Sequence, residues 1–200
     1  MIALMKKLML IAAGLLLSAA ALLAQDNKVY GIKSGHLKYE TQTSGGLQYN
    51  EVWFDDYGMT RKQHDQIMME GMGNYHTEIL FRDNKIYSNA WLDDEKKDEA
   101  KMTEGYPDLN LLNPSERFKK DSQLKEVGKE EVFGKPCTIY TYKTKELLRT
   151  VNYKVWVWQG IILKMETKGI LGANNSQMVT QFDENPKLPA STFALPKVVK

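Results

Sequence analysis

Residues 149–168 read RTVNYKVWVWQGIILKMETK, and this stretch indicates the kind of fold that the rest of the chain must join. Side chains on both sides of Gln159-Gly160 alternate with a period of two, which is typical of β-strands. Gln159-Gly160 supplies a tight turn between the two runs. Residues 149–169 are therefore predicted to form an antiparallel hairpin.

Both faces of the first strand of this hairpin carry large side chains. Val155 and Val157 point to one side of the strand, whereas Trp156 and Trp158 point to the other. The strand is therefore predicted to be covered on both faces and central in its sheet. In the second strand, strict alternation places Ile161, Leu163, Met165 and Thr167 on one face and Ile162, Lys164, Glu166 and Lys168 on the other.

Similar alternation on either side of the hairpin predicts a long antiparallel meander. Turn-forming residues at Asp55–Gly58 and Arg82–Lys85 separate some of its strands. The C-terminal tail contains one short apolar strand, Thr192–Leu195, which is expected to tie down the sheet edge. The other predicted strands span residues 29–43, 46–54, 58–64, 76–82, 85–92, 126–132, 136–143 and 176–182.

Two helices are predicted to interrupt the meander. The run Asn113-Pro114-Ser115-Glu116 places an N-cap, a proline at the first helical position and an acid at the third, which favours a helix to about Leu124. A second, charged helix is predicted from Asp93 to Met102. The fold class is therefore α+β. With no internal repeat and no low-complexity linker, residues 25–200 are predicted to form a single domain.

The first 24 residues have the features of a secretory signal peptide. Lys6 and Lys7 precede an apolar run, and small residues follow from Ser18 to Ala21. The run is too short to be a comfortable membrane span, and no cluster of Lys and Arg follows it. Cleavage is predicted after Ala24, or alternatively after Ala21. The mature protein is expected in the periplasm, not spanning the membrane.

Charge and cysteine content exclude further classes of function. The 27 Lys and Arg include two in the leader, so the mature chain has 25 basic residues against 25 Asp and Glu. This neutral balance excludes the basic footprint of a nucleic-acid binder. Cys137 is the only cysteine, so no intrachain disulfide can form. It is predicted to be a buried, unreactive thiol, the alternatives being an intermolecular disulfide or a reactive thiol.

The chain resembles the bacterial lipoprotein-carrier superfamily, which includes LolA, LolB and RseB, and within it a group of uncharacterised exported envelope proteins. The motifs that carry the resemblance are Val127-Gly128, Val132–Cys137, Tyr140, Val155–Lys164 and the closing Pro189–Pro196. The resemblance implies a strongly curved antiparallel sheet, an incomplete β-barrel or half-barrel, wrapped around a few helices. It also implies an apolar cavity that holds acyl chains in some relatives.

Two groups of side chains are candidates for lining such a cavity. Aromatic residues supply large apolar surface on a concave sheet, although ordinary core packing explains them equally. Three methionines close together offer an adaptable apolar lid, irregular core packing, or soft ligands for Cu(I). The candidate ligand-binding residues are Trp53, Met68, Met69, Met72, Trp91, Trp156 and Trp158.

No residue set in the sequence points to catalysis. His36, His64 and His76 lie at no metal-ligand spacing and are predicted to be solvated surface residues. Asp55-Asp56 and Asp93-Asp94 are predicted to be turn formers and helix-start acids. No catalytic or metal site and no cofactor is predicted.

The leading functional hypothesis is a non-catalytic periplasmic protein that binds a lipid, an acyl chain or a lipidated protein. The alternative is an envelope interaction or sensor module that binds a protein segment on its concave face. Both hypotheses place a partner against the sheet, and neither makes or breaks a bond.

Overall fold

The computed structural model describes residues 28–43, 46–69, 71, 73–96, 98–105, 109–146, 149–168 and 174–199, so the predicted signal peptide lies outside the described residues. The described part is mostly β-structure. Its strands are β1 (Gly35–Thr43), β2 (Gly46–Asp55), β3 (Thr60–Met69), β4 (Gly73–Arg82), β5 (Lys85–Leu92), β6 (Glu99–Glu104), β7 (Lys125–Val132), β8 (Lys135–Glu146), β9 (Arg149–Trp158), β10 (Ile161–Lys168), β11 (Asn174–Glu184) and β12 (Lys197–Val198). Helix α1 spans Glu116–Asp121, and 3₁₀ turns span Asp56–Gly58 and Ala190–Phe193.

All of these strands join one open sheet, in the order β12-β6-β5-β4-β3-β2-β1-β11-β10-β9-β8-β7. Two antiparallel meanders, β1–β6 and β7–β11, meet where β1 pairs with β11. The pairing of β12 with β6 is parallel. The structure therefore confirms a large antiparallel sheet that does not close. The helical part is smaller than predicted, because α1 is the only α-helix among the described residues.

Tight turns connect several of the hairpins. Gln159 and Gly160 have φ values of 47° and 80°, and Asp83 and Asn84 have φ values of 54° and 58°. Two consecutive residues with positive φ match the right-handed twist of the flanking strands. The Gln159-Gly160 hairpin is confirmed, with strands Arg149–Trp158 and Ile161–Lys168.

Strand β9 is buried on both faces, as its sequence predicts. Val155 and Val157 pack with Leu111 and Tyr142 in one core cluster. Trp156 packs in a second cluster that contains β8 residues Cys137 and Ile139. The position of β9 between β8 and β10 explains why it carries large side chains on both sides.

Strict alternation in β10 is wrong beyond Leu163. The register between β9 and β10 shifts between Ile162 and Lys164, so Lys164 lies opposite Trp156 and Met165 opposite Val155. Met165 therefore packs with the cluster of Ile162, not with Leu163. A β-bulge adds one residue to a strand and exchanges the faces beyond it, and residue identity alone does not reveal this shift.

The predicted helix at Asp93–Met102 is also wrong. Asp93 adopts a φ of 47° at the end of β5, and its carboxylate accepts a hydrogen bond from the Asn74 backbone N–H at 2.8 Å. Glu99–Glu104 forms strand β6 instead, paired with Lys85–Ser88 of β5. Pairing with a neighbouring strand overrides the modest helix propensity of this charged run. The reading of Asp93-Asp94 as helix-start acids fails with it.

Two further boundaries differ from the predictions. The N-cap of α1 is Ser115, whose Oγ accepts the Phe118 N–H at 3.1 Å, so the helix starts two residues later than predicted. The predicted strand at Thr192–Leu195 is not formed: a 3₁₀ turn at Ala190–Phe193 ends within it, and β12 follows at Lys197–Val198. Phe193 of this turn packs on Leu80 because the tail crosses a face of the sheet rather than pairing at that point.

Cross-strand register assigns the side chains of β1–β6 to two faces. One row, the Leu37 face, is Leu37, Val52, Gln63, Ile79, Ser88 and Lys101, each opposite the next. The other row, the Trp53 face, is His36, Trp53, Lys62, Leu80, Tyr87 and Met102. The C-terminal tail packs on the Trp53 face through Leu188 and Phe193. The candidate site lies on the Leu37 face.

Candidate functional site

A cavity of about 420 Å³ lies between the Leu37 face and the segment that follows β6. This volume is in the range of small-molecule binding sites. Strands β1, β2, β3, β10 and β11 contribute to its wall, and Leu109 and Leu111 face them from the segment between β6 and α1. Its lining is Tyr30, Leu37, Tyr39, Asn50, Val52, Arg61, Gln63, Leu109, Leu111, Gly160, Ile161, Ile162, Met165 and Gln177.

The apolar part of the lining is well ordered by packing. Leu37 and Val52 are neighbours in the β1–β2 ladder and belong to the core. Tyr39 is buried beside them, and its hydroxyl donates a hydrogen bond to the Ile162 carbonyl at 3.1 Å. Burial raises the pKa of Tyr39 far above its ordinary value, so this hydroxyl stays protonated. The wall is therefore uncharged along β1 and β10.

One cation lies in the lining. The Nη1 of Arg61 donates a hydrogen bond to the hydroxyl of Tyr30 at 3.2 Å, and the residue is half-buried. No carboxylate among the described residues forms an ion pair with it. A partly desolvated guanidinium with only a neutral partner favours an anionic oxygen nearby. Arg61 therefore offers a positive charge and hydrogen-bond donors to an anionic group in this cavity.

A network of polar side chains borders the same cavity and crosses five strands from β11 to β4. The carboxylate of Asp65 accepts hydrogen bonds from Asn50, from Gln63 at 3.0 Å and from Thr77 at 3.0 Å. Gln177 in turn donates to Asn50 at 2.9 Å. A carboxylate satisfied by several donors holds their side chains in place. The network therefore gives one part of the cavity wall a fixed polar surface.

The four tryptophans predicted to line a cavity lie in different places. Trp156 is 1% exposed, and its Nε1 donates to Glu130 at 2.7 Å. Trp158 packs edge to face on Phe182, with ring centroids 5.8 Å apart. Neither Trp53 nor Trp91 approaches them, because both lie in the β1–β6 meander, on the face opposite Leu37. None of the four lines the cavity that contains Arg61, and their contact with a ligand stays a prediction.

The predicted methionine lid falls largely outside what the structure describes. Met68 lies at the end of β3 with 65% of its surface exposed. The side chain of Met69 is not described, and Met72 lies outside the described residues. The lid therefore stays a prediction. Within the described ranges, no group of three or more His, Cys, Asp or Glu side chains is close enough to hold a metal ion.

The prediction that the histidines are solvated surface residues is wrong. His36 stacks on Trp53 with 5.2 Å between ring centroids and contacts Glu51 at 2.7 Å. His64 and His76 both stack on Trp91, and their nearest ring nitrogens are 3.1 Å apart. Burial and the neighbouring His76 lower the pKa of His64. Flat aromatic neighbours on adjacent strands desolvate these rings, an arrangement that depends on strand register.

Cys137 lies in the core of β8 and is 2% exposed, as predicted. Burial raises the pKa of its thiol, which reduces the thiolate fraction. The Asp55-Asp56 pair is confirmed as a turn former, because the Asp55 carboxylate accepts the Asp56 backbone N–H at 2.7 Å. Neither position offers chemistry to the cavity.

Sequence reasoning missed the residues that line the cavity. Leu37, Val52 and Gln63 come from three different strands and share a wall only because their ladder places them opposite one another. Arg61 and Gln63 are two residues apart on β3, so the alternation of the strand places both side chains on the same face. Without the register between strands, however, this signal does not say which residues it meets.

Solved structures show the same fold. A chain of the Pseudomonas aeruginosa MucA/MucB complex superposes with a TM-score of 0.51 over 80% of this chain, at 16% identity. An uncharacterized conserved protein from Thermus thermophilus superposes with a TM-score of 0.52 over 90% of this chain and 98% of its own length, at 8% identity. This chain shares the fold of these two structures. The resemblance in the motifs from Val127 to Pro196 is thereby confirmed at the level of fold.

The similarity has clear bounds. This chain spans 55% of the length of the matched chain in the MucA/MucB complex. A putative outer membrane lipoprotein-sorting domain from Vibrio parahaemolyticus also matches at 9% identity, over 86% of this chain and 94% of its own length, but its TM-score of 0.31 is too low to support more. No protein-family model matches the sequence, and no curated protein matches it.

The described residues contain no segment suited to crossing a bilayer as a helix.

Proposed function

We propose that this chain is a non-catalytic periplasmic protein that binds a hydrophobic ligand with an acidic group in the cavity of Arg61. The ligand class is a lipid, an acyl chain or a lipidated protein. The single observation that carries the proposal is a largely apolar cavity of about 420 Å³ with an arginine in its wall that has no carboxylate partner among the described residues. The resemblance to lipoprotein carriers supports the proposal, because an apolar cavity holds acyl chains in some of those proteins.

Transfer of apolar surface from water into the cavity supplies the driving force. Each buried methylene contributes about 0.8 kcal/mol, so six of them contribute about 5 kcal/mol before the cost of association is subtracted. Leu37, Ile162 and Met165 offer apolar contact, and Arg61 offers hydrogen bonds to a carboxylate or phosphate oxygen. Binding and release need no bond to form or break.

The first test is a ligand titration with a variant that fills the cavity. Met165→Trp places a larger side chain in the lining, and Met178→Trp is the matched control because Met178 is 50% exposed and outside the lining. A fluorescent fatty acid should bind the delipidated protein, and Met165→Trp should weaken binding about tenfold or more. The control should bind as the parent does. No binding by the parent, or equal binding by both variants, contradicts the proposal.

The second test isolates Arg61. Arg61→Gln should weaken binding of the free fatty acid about tenfold and leave its methyl ester unaffected, because only the acid carries a charge. Arg117→Gln is the matched control, since Arg117 lies on the exposed surface of α1. Equal losses for acid and ester would show that Arg61 supports the wall instead of pairing with the ligand. Mass spectrometry of organic extracts from natively exported protein would identify the ligand itself.

A protein segment is the second candidate occupant. It is favoured by the similarity to MucB, which occurs in complex with MucA. An envelope interaction or sensor module of this kind would use the same face of the sheet. Co-purification of a peptide, and no lipid, with the exported protein would favour this candidate over the first.

A further inference from the structure

The carboxylate of Asp65 fixes the orientation of two side-chain amides beside the cavity of Arg61. A carboxylate can only accept hydrogen bonds, whereas the amide of Asn or Gln donates through its nitrogen and accepts through its oxygen. Asp65 accepts from the Nδ2 of Asn50 and from the Nε2 of Gln63 at 3.0 Å. The nitrogens of Asn50 and Gln63 therefore face Asp65, which leaves their oxygens for other partners.

The same constraint extends to Gln177 on β11. Because the Nδ2 of Asn50 is bound to Asp65, the Oδ1 of Asn50 is the atom that faces Gln177, and it accepts from the Nε2 of Gln177 at 2.9 Å. The Nε2 of Gln177 also donates to the Oγ1 of Thr41 at 3.1 Å. An amide nitrogen carries two N–H groups, so both donors of Gln177 are engaged. Its oxygen is the group that remains.

The side-chain oxygens of Gln63 and Gln177 are open acceptors in the cavity wall. Both residues line the cavity and are half-buried. Gln63 lies opposite Val52, and Gln177 lies opposite Thr41, so strand alternation places both on the Leu37 face. Among the residues that the structure describes, none donates a hydrogen bond to either oxygen. A ligand in this cavity therefore meets two hydrogen-bond acceptors as well as the guanidinium of Arg61.

These acceptors decide which head group fits the cavity. Arg61 and Gln63 are two residues apart on β3, a separation of about 7 Å, so a donor and an acceptor lie side by side on the wall. A plain fatty acid satisfies Arg61 but displaces water from the oxygen of Gln63 without replacing its hydrogen bond. A buried acceptor without a partner weakens binding. A head group with an N–H or O–H next to its acid satisfies both positions.

We propose that the ligand of the Arg61 cavity carries a hydrogen-bond donor, a hydroxyl or an amide N–H, beside its acidic group. This inference rests on the proposed function, because it concerns the head group of the same ligand. The acid pairs with Arg61, and the donor binds the side-chain oxygen of Gln63 or Gln177. Asp65 is a positioning residue, because it lies outside the lining and acts by holding the side-chain amides.

The probes are dodecanoylglycine, whose amide N–H lies beside its carboxylate, and its N-methyl analogue dodecanoylsarcosine, which lacks this donor. Isothermal titration calorimetry of the delipidated protein, below the micelle concentration of each probe, measures both affinities. Dodecanoylglycine should bind about fivefold more tightly, which corresponds to one net hydrogen bond. Equal affinities, or tighter binding of the N-methyl analogue, overturn this inference and leave the proposed function standing. Binding of neither probe overturns both.

Glutamine variants show whether the open oxygens cause the preference. Gln63→Met and Gln177→Met each remove one acceptor from the lining. Gln181→Met is the matched control, because Gln181 is exposed on β11 and lies outside the lining. The preference for dodecanoylglycine should fall toward unity in at least one of the first two variants and persist in the control. An unchanged preference in both would mean that the bulk of the N-methyl group decides it, and would refute the inference.

Asp65→Asn tests the orientation of the amides without a change in the lining. An asparagine amide can donate as well as accept, so the amides of Asn50 and Gln63 are free to turn their nitrogens toward the ligand. The preference for dodecanoylglycine should be lost, while the affinity for dodecanoylsarcosine stays within about twofold of the parent's. Circular dichroism checks that the variant is folded. A preference retained in folded Asp65→Asn overturns the assignment of Gln63 and Gln177 as acceptors for the ligand.

Discussion

A pair of glycine substitutions tests how the cavity wall is built. Gly160 and Gly134 both occupy the second position of a tight hairpin turn, with φ values of 80° and 69°. Replacing either glycine with alanine should therefore lower the free energy of unfolding by about 1 kcal/mol, because alanine must adopt the left-handed region. The two sites differ in their surroundings. A Cβ at Gly160 would meet the Val29 carbonyl oxygen, and Leu112 Cβ at 2.9 Å, whereas a Cβ at Gly134 would meet nothing within 4 Å.

The difference between the two variants measures the tertiary contact. Gly134→Ala should lower the free energy of unfolding by about 1 kcal/mol. Gly160→Ala should lower it by about 3 kcal/mol, because overpacking against backbone adds about 2 kcal/mol to the same conformational cost. Urea unfolding followed by circular dichroism measures both values.

Equal losses in the two variants would refute the reasoning. They would show that Val29 and the segment around Leu112 do not pack against the β9–β10 turn. Since Leu109 and Leu111 of that segment form one wall of the cavity, its placement over the sheet would fail as well. A larger loss in Gly160→Ala than in Gly134→Ala supports a cavity closed on this side by direct contact.

Four further predictions follow from single sites. The pKa of His64 is lowered from 6.5 in the folded protein, so the unfolded chain binds a proton at this histidine more readily. The free energy of unfolding should therefore fall as the pH drops from about 6.5 through the lowered value. A urea midpoint with the same pH dependence in His64→Gln contradicts this. Cys137 should resist a thiol reagent until the protein unfolds, and rapid stoichiometric labelling of the native state would refute its inertness. Ser115→Ala should cost about 1 kcal/mol through loss of the N-cap, and Ser191→Ala, in a turn with no side-chain cap, should cost less in the same urea assay. Mature protein from the periplasm should begin at Gln25 or Leu22 by mass spectrometry, and an intact N-terminus in the membrane fraction would contradict processing.

Local patterns in the chain predicted most of the strands. The Gln159-Gly160 hairpin follows from a turn with positive φ between two alternating runs, and both properties reside in adjacent residues. The burial of Val155 and Trp156 on opposite faces follows from the same alternation. The predictions were wrong where pairing with a neighbouring strand decided the secondary structure. The predicted helix at Asp93–Met102 is replaced by a turn and by strand β6 from Glu99, because β6 pairs with β5.

The amino-acid sequence by itself determined the class of fold, since alternation, turn residues and side-chain size act over a few residues. Only the tertiary structure decided the candidate site. Leu37, Arg61 and Ile162 come from three strands, and Leu37 and Ile162 are 125 positions apart in the sequence. They meet because of strand order, register and a bulge in β10. A shift of one residue in register exchanges every side chain between faces, so the cavity depends on pairings that no local pattern specifies.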